Sequence, residues 1–309
     1  MQEKIGNVTL DYEYYPGEDL YSDGPVEEEL LEIAKNYQEK ELNQLIYERN
    51  SWPVLYHFSH IRQNILEWLP ITKEQNVLEI GSGCGPITGV LARKAKSVTC
   101  IDLSKMRSTI NAYRNRECDN VKIMVGNFQD VESSLTEKYD YITLIGVFEY
   151  SQGYIGTAQP YVEMLRRIAR HLAPGGRIVI AIENRLGLKY WAGCTEDHVG
   201  KYFEGLENYP DTRSVRTFSR KELSDIIDQA GEFKTTFYYP YPDYKFPMTI
   251  YSDKRLPKKG ELRDNFCNFD RNRIQLFNEG KVYDSLTDAG LFQEFSNSFL
   301  VIVERKENK

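Results

Sequence analysis

Three closely spaced glycines give the sharpest chemical signal in the sequence. Gly81, Gly83 and Gly85 follow a short apolar run that contains Glu79. Glycines between a strand and a helix let a ligand lie against the backbone, and the free amides of a helix N-terminus attract an anionic group. The order is G-x-G-x-G followed by Pro86, whereas a dinucleotide site has G-x-G-x-x-G. The spacing and the acidic Glu79 therefore favour a ligand other than a dinucleotide.

The next three apolar runs end in residues that could contact a ligand. Asp102 and Leu103 close the second run, Asn127 and Phe128 follow the third, and Gly146 follows the fourth. A carboxylate at such a position can accept hydrogen bonds from both ribose hydroxyls, an amide can read the edge of adenine, and a ring can cover its face. Open α/β sheets bind ligands at the carboxyl ends of their strands. This pattern indicates a ligand with a nucleoside part.

Five segments occur in an order that resembles the class I S-adenosylmethionine-dependent methyltransferases. Over about residues 72–183 they read E-I-G-S-G-C-G, C-I-D-L-S, G-N-F, G-V-F-E-Y and L-A-P-G-G-R-I. The resemblance implies S-adenosyl-L-methionine as the cofactor, with the glycines around its methionine part, Asp102 at the ribose and Asn127 at the adenine. Many family members have Asp where this chain has Asn127. The implied cofactor-binding residues are Glu79, Gly81, Ser82, Gly83, Gly85, Asp102, Leu103, Asn127, Phe128 and Gly146.

Methyl transfer to an alcohol benefits from a general base, and His198 is the first candidate. It lies in the run Thr195–His198, where a neighbouring carboxylate can orient or charge it. A surface or structural role for His198 stays open. The other catalytic candidates lie at predicted strand ends, where capping or cofactor binding is the alternative role, and they are Glu149, Tyr150, Glu183 and Asn184.

The class of acceptor depends on segments outside the cofactor motifs. The N/D-P-P-Y element of many amino-methylating enzymes of nucleic acids is absent after the fourth predicted strand, as is the Pro-Cys nucleophile of cytosine C5 methylation. The runs 183–190, 216–220 and 238–245 resemble bacterial methyltransferases found with cell-surface polysaccharide synthesis. That resemblance implies a sugar, nucleotide-sugar, glycan end or other small hydroxylated acceptor. The tyrosines of 238–245, if exposed, would suit stacking on a sugar or a base, and packing of these rings within a lid is the alternative. Two alternatives stay open: methylation of a nucleic acid or protein, and a non-catalytic subunit that docks a partner.

The positioning elements alternate from residue 76 onward between β-type runs and helical segments, which predicts a parallel sheet with crossover helices. With the resemblance, the expected fold is a Rossmann-like α/β methyltransferase fold with seven strands, mostly parallel, the last antiparallel. We expect a helical N-terminal extension over 1–70 and a methyltransferase domain over 71–309. Lid-like insertions are predicted at about 184–220 and 240–294. The predicted strands are 76–80, 97–102, 121–125, 139–147, 177–183, 233–239 and 299–304.

Composition argues against several classes of protein. Of 309 residues, 41% are apolar and 28% charged, and no run approaches the roughly 18 apolar residues of a membrane span. Residues 1–42 hold twelve acidic and three basic residues, so the net charge of −7 is local and a broad basic face for nucleic acid is not expected. Five cysteines lack metal-ligand spacing, which favours reduced thiols in a cytoplasm over disulfides or a metal site. No secretory signal is predicted, and the sequence leaves the oligomeric state open.

Overall fold

The structure, a computed structural model, describes residues 1–19, 21–265 and 273–306. It divides into two compact units. The first unit comprises Met1–Leu144 and Arg167–Ile178, and the second comprises Ile145–Arg166 and Val179–Lys309. Across the described ranges, no helix has both the length and the apolar character needed to cross a membrane.

The strands of the first unit are mostly parallel. They are β1 (Gln2–Ile5), β2 (Val8–Asp11), β3 (Asn76–Ile80), β4 (Ser97–Asp102), β5 (Val121–Val125) and β6 (Tyr139–Ile145), the last residue of which belongs to the second unit. Their order is β1-β2-β5-β4-β3-β6. Only β1 and β2 pair antiparallel among these neighbours. Because β3 pairs with β4 on one side and β6 on the other, the glycine loop that follows it starts between two parallel neighbours at the edge where these strands end.

Seven α-helices lie in the described residues of the first unit. They are α1 (Val26–Asn36), α2 (Leu42–Arg49), α3 (Trp52–Phe58), α4 (Asn64–Glu67), α5 (Thr88–Lys94), α6 (Lys105–Arg114) and α7 (Phe128–Val131). A buried apolar cluster joins α1, α2 and α3 to Ile110 of α6. The helical extension predicted over 1–70 is interrupted at Ser59, whose hydroxyl accepts a hydrogen bond from the amide of Ile61 (3.3 Å) in a short 3-10 turn.

The second unit begins where β6 ends. The long strand β7 (Leu172–Glu183) enters it at Val179 and is joined by β8 (Phe233–Tyr241), β9 (Thr249–Ser252) and β10 (Ser298–Arg305). The order is β7-β10-β8-β9, and β8 is antiparallel to both β10 and β9. Its helices are α8 (Ser151–Tyr154), α9 (Pro160–Arg170), which ends in the first unit, α10 (Leu188–Trp191), α11 (Arg220–Ala230), α12 (Glu279–Asp288) and α13 (Phe292–Phe295).

All seven predicted strands are present, and the sheet is mostly parallel as expected. The described ranges nevertheless contain ten strands instead of seven, and the additional ones are β9 and, within the extension 1–70 that was expected to be helical, β1 and β2. Each of these three has only four residues, too few for a clear alternation of apolar and polar positions. Four of the five cysteines are free thiols, and Cys267 lies outside the described residues.

Candidate active site

The glycine loop after β3 adopts a backbone that favours glycine. Gly81, Gly83 and Gly85 have positive φ angles of 72°, 51° and 74°. A Cβ atom built on Gly83 meets no other atom within 4 Å, whereas one built on Gly85 would lie 2.3 Å from Oδ1 of Asn111. The loop is therefore open at Gly83 and packed against α6 at Gly85.

Asp102 ends β4 and contacts this loop directly. Its carboxylate accepts hydrogen bonds from the amides of Gly83 (2.7 Å) and Ser104 (3.0 Å). Burial raises the pKa of the carboxyl, although those two amides act in the opposite direction. Each carboxylate oxygen has more than one lone pair, so both can also accept hydrogen bonds from ribose hydroxyls. Leu103 beside it is partly exposed.

Glu79 holds the loop from inside the fold. Its side chain is 4% exposed and accepts hydrogen bonds from Oγ1 of Thr88 (2.7 Å) and Sγ of Cys100 (3.4 Å). Burial raises the pKa of Glu79 to about 7. Ser82 is buried as well. These contacts give Glu79 a positioning role, because they connect the strand before the loop to the helix after it.

Asn127 and Phe128 follow β5, and the two side chains have different surroundings. Oδ1 of Asn127 accepts a hydrogen bond from the amide of Gln129 (3.1 Å), which caps α7. Asn127 is partly exposed. The Phe128 ring is buried and lies edge-on to His171, with 6.5 Å between ring centroids. Asn127 thus reaches the surface at this sheet edge, whereas Phe128 is part of the core.

A segment before α1 also lies along this edge, which sequence reasoning missed. Asp19 accepts hydrogen bonds from Oγ of Ser104 (2.9 Å) and from the first two backbone amides of α6 (2.6 and 3.1 Å). A Cβ atom on Gly126 would lie 2.8 Å from the backbone oxygen of Tyr14. The cluster of tyrosines and acidic residues in the first 21 positions was the available signal.

Four side chains of the second unit, called here the Glu-His cluster, come from three segments, and three of them are buried while His198 is partly buried. Glu149 follows β6, Glu183 ends β7, and Glu196 and His198 lie in the loop after α10. Nδ1 of His198 lies 2.8 Å from Oε1 of Glu196. Its Nε2 lies 3.5 Å from Oε1 of Glu149 and 3.8 Å from Oε2 of Glu183. Because the hydroxyl of Tyr209 also donates to Glu196 (3.1 Å), the imidazole ring is held in one orientation.

Burial and mutual contact set the charges of this cluster. Burial raises the pKa of the Glu149 carboxyl, and the negative charge of Glu183 raises it further. The contact with His198 lowers that pKa but offsets only part of the increase. Burial lowers the pKa of His198, but the three carboxylates outweigh it and hold that pKa well above its usual value. Oε2 of Glu149 and Oε2 of Glu183 have no hydrogen-bond partner among the described residues. Both side chains are at most 1% exposed, so these two oxygens are buried acceptors.

Two lysines flank the Glu-His cluster, and of these Lys189 is buried and Lys245 is partly buried. Nζ of Lys245 lies 2.5 Å from Oε1 of Glu183 and 3.0 Å from Oδ2 of Asp197. Nζ of Lys189 lies 2.6 Å from the same oxygen of Asp197 and 2.8 Å from Oδ2 of Asp243. Sequence reasoning missed both lysines and Asp243, because ion pairs between distant positions leave no local pattern.

Tyr150 and Asn184, the other two catalytic candidates from the sequence, lie in different surroundings. The Tyr150 ring lies edge-on to His198, with 5.4 Å between centroids. Asn184 is buried, and its amide group donates to the carbonyl oxygens of Glu294 and Ser296 (both 2.8 Å). These bonds fix the chain after β7 and leave the amide no donor for chemistry.

Gly146 is needed for packing, and its φ angle is 70°. A Cβ atom there would lie 2.6 Å from the hydroxyl of Tyr244, which itself donates to Glu183 (3.3 Å). Tyr244 is buried, as are Tyr239 and Tyr241. Exposure for stacking is therefore wrong for these three rings, and the alternative of packing holds: Tyr239 and Tyr241 lie in the aromatic core around β8 and β9.

Comparison with known proteins gives a family match. A family model described as a methyltransferase domain matches residues 55–232. The chain is 26% identical over 171 residues to an uncharacterized methyltransferase of Staphylococcus carnosus, covering 54% of this chain and 74% of that protein.

Two further comparisons cover a curated enzyme and a solved structure. Over 88 residues the chain is 34% identical to ribosomal RNA small subunit methyltransferase A of Listeria monocytogenes, covering 26% of this chain and 28% of that enzyme. A methyltransferase solved in complex with the Haloferax volcanii Trm112 methyltransferase activator is 18% identical. It aligns with a TM-score of 0.50 over 88% of this chain and 99% of its own, which shows a shared Rossmann-like methyltransferase fold.

Proposed function

Because this chain belongs to the methyltransferase domain family, we propose that it methylates a hydroxyl group of a sugar, nucleotide-sugar, glycan end or other small hydroxylated acceptor. The chain is an S-adenosylmethionine-dependent methyltransferase, and S-adenosylmethionine is its methyl donor.

Residues of the first unit are assigned to the donor. The backbone at Gly83 offers an open approach, and Asp102 keeps lone pairs for ribose hydroxyls while its amide contacts hold the loop. Asn127 offers a partly exposed amide at the neighbouring strand end. Glu79 and Gly85 hold the loop in shape, so their substitution acts on stability first.

The observation that carries the acceptor assignment is the Glu-His cluster. A neutral amine needs no general base for methylation, whereas a hydroxyl gains from an acceptor for its proton. Oε2 of Glu149 and Oε2 of Glu183 are buried acceptors without a hydrogen-bond partner among the described side chains. His198, the base candidate from the sequence, is held between these carboxylates by Glu196.

The proposed step is a displacement at the methyl carbon of S-adenosylmethionine. The hydroxyl oxygen of the acceptor forms a bond to the methyl carbon, and the bond between that carbon and the sulfonium sulfur breaks, with its electron pair going to sulfur. The hydroxyl proton passes to a carboxylate oxygen of the Glu-His cluster. The products are the methyl ether and S-adenosylhomocysteine. Alignment of the two reacting atoms supplies a large part of the rate in such a displacement.

A link to cell-surface polysaccharide synthesis follows from the resemblance of the runs 183–190, 216–220 and 238–245, and it belongs to the same proposal. Ribosomal RNA is the second candidate acceptor, because the rRNA methyltransferase of Listeria monocytogenes matches over 88 residues. The two acceptors differ in salt dependence, since contacts to phosphates weaken steeply with added salt.

A labelling experiment separates these candidates. The full chain is incubated with methyl-labelled S-adenosylmethionine and, in parallel, with monosaccharides, nucleotide-sugars, glycan fragments, ribosomal RNA and protein. We expect label in a hydroxylated acceptor, in a form stable to mild alkali, as an ether is and a methyl ester is not. Label confined to RNA or protein would overturn the acceptor assignment.

A further inference from the structure

We propose that Glu149, Glu183 and His198 form a binding site for one divalent transition-metal cation. Each residue offers one ligand atom, and the three ligand atoms lie within 4.8 Å of one another. They come from the segment after β6, the end of β7 and the loop after α10, so the fold brings together ligands that no sequence spacing indicates.

Two of the three distances between the ligand atoms are close to those of a metal site. Nε2 of His198 lies 3.5 Å from Oε1 of Glu149 and 3.8 Å from Oε2 of Glu183. In a tetrahedral site with bonds of about 2.0–2.1 Å, neighbouring ligand atoms lie roughly 3.3 Å apart. An ion would be seated by contraction of these two distances by a few tenths of an ångström and by approach of the two carboxylates, whose oxygens lie within 4.8 Å of each other.

Two observations beyond the clustering of ligands point to a cation. Oε2 of Glu149 and Oε2 of Glu183 are buried in side chains at most 1% exposed, yet have no hydrogen-bond partner in the described part of the chain. Nδ1 of His198 is held by the carboxylate of Glu196 at 2.8 Å. Histidine ligands of metals typically have such a carboxylate on the second ring nitrogen, which fixes the ring and leaves Nε2 to bind.

The charge of the surroundings favours a dication. The ion pairs described around the site contain five carboxylates and three positively charged groups, which are Lys189, Lys245 and His198. The five carboxylates belong to Glu149, Glu183, Glu196, Asp197 and Asp243. A bound dication offsets the excess negative charge of this buried group, which a neutral ligand cannot do.

The ligand set selects the metal. One imidazole with two carboxylates suits Zn²⁺ or Mn²⁺, and the general order of affinities places Zn²⁺ above Mn²⁺. Mg²⁺ prefers an all-oxygen octahedron and is expected to bind more weakly. This inference rests on the proposed function only in taking the Glu-His cluster as the place where the acceptor hydroxyl is bound, where the metal would help to orient it.

Metal binding is measured on the full chain without an affinity tag, after chelator treatment and dialysis. Isothermal titration with Zn²⁺ and with Mn²⁺ is expected to give one site per chain, tighter for Zn²⁺, with release of protons as His198 binds. In Glu149→Gln and His198→Gln we expect at least tenfold weaker binding. Glu207→Gln and His60→Gln, which change exposed residues of the same types, are the matched controls and should bind as the wild type does.

Titration of the wild-type chain alone decides the question if a variant fails to fold. Absence of a stoichiometric site, or equal affinity in His198→Gln and His60→Gln, would overturn the metal site. Methyl transfer is assayed separately with and without chelator. Methyl transfer without metal binding would refute the metal site and leave the proposed function in place. Metal binding without methyl transfer would refute the proposed function and leave the metal site in place.

Discussion

Substitution of two neighbouring glycines by alanine separates ligand binding from packing in the glycine loop. Both Gly83 and Gly85 have positive φ angles, 51° and 74°, so alanine at either position is strained by about 1–2 kcal/mol. Part of this cost is offset by about 0.4–1 kcal/mol, because alanine restricts the unfolded chain. The backbone term is therefore nearly the same for the two variants, and their surroundings make the difference.

For Gly83→Ala, the added methyl group meets no atom within 4 Å. We expect a loss of about 1 kcal/mol in unfolding free energy, from the backbone term alone. The methyl group projects into the open approach to the loop, where the cofactor is proposed to lie. Affinity for S-adenosylhomocysteine should therefore fall at least about tenfold, equivalent to about 1.4 kcal/mol.

For Gly85→Ala, the methyl group would lie 2.3 Å from Oδ1 of Asn111 and 2.8 Å from Nδ2 of Asn115. Asn111 is fully buried and donates to Thr88 (3.0 Å), which in turn donates to Glu79. Displacing Asn111 leaves buried polar groups without partners, at about 1–3 kcal/mol in addition to the backbone strain. We expect a total loss of about 3 kcal/mol in stability.

Denaturant unfolding without ligand measures the stability of both variants, and isothermal titration with S-adenosylhomocysteine measures affinity. Wild-type affinity in Gly83→Ala would refute the placement of the cofactor against this loop. Equal stability of the two variants would refute the packing difference that the distances indicate.

Three further outcomes follow from contacts in the first unit. Asp102→Ala should weaken S-adenosylhomocysteine binding by about 1–3 kcal/mol, because ribose hydroxyls lose their acceptor, and titration showing unchanged affinity would rule that role out. Glu79 has a pKa raised to about 7, so the stability it contributes in neutral form is complete below its unfolded value of 4.5 and is lost as the pH rises through about 7. Between pH 4.5 and pH 8, the free energy of unfolding measured in urea should therefore fall by about 3 kcal/mol less for Glu79→Gln than for the wild type. An identical pH dependence of the two proteins would contradict this role of Glu79. Glu27 is 3% exposed and lies 2.7 Å from Nε of Arg107, so Arg107→Met leaves a buried carboxylate without its cation. The free energy of unfolding should fall by about 3 kcal/mol in Arg107→Met, and adding Glu27→Gln should restore part of it.

The central strands could be predicted from the sequence, since β3 to β6 are short apolar runs bounded by turn residues. The short N-terminal strands could not, although Val8 and Leu10 are fully buried on one face of β2. Their alternation extends over four residues only, too few to stand out from a polar segment. The interruption at Ser59 also has no clear sequence signal, because apolar residues continue on both sides.

The residues proposed to bind the donor could be named from the sequence because they lie in contiguous motifs at strand ends, and their role stays a prediction. The partners of His198 were only partly predictable, since Glu149 and Glu183 were candidates by position but nothing in the sequence joins them to one imidazole. Lys189 and Lys245 contact Asp197 from positions 8 and 48 residues away, and such distances leave no periodic pattern. Long-range ion pairs and the burial of Tyr244 are consequences of the folded chain.

The most direct test of the central claim, hydroxyl methylation served by the Glu-His cluster, is the rate of S-adenosylhomocysteine formation in Glu149→Gln. The assay uses the hydroxylated acceptor found by labelling, with Glu207→Gln as control and cofactor affinity measured for each protein. We predict a rate at least about a hundredfold below wild type in Glu149→Gln, the scale of a lost proton acceptor, with cofactor affinity unchanged. A wild-type rate in Glu149→Gln would contradict the role of the cluster in catalysis.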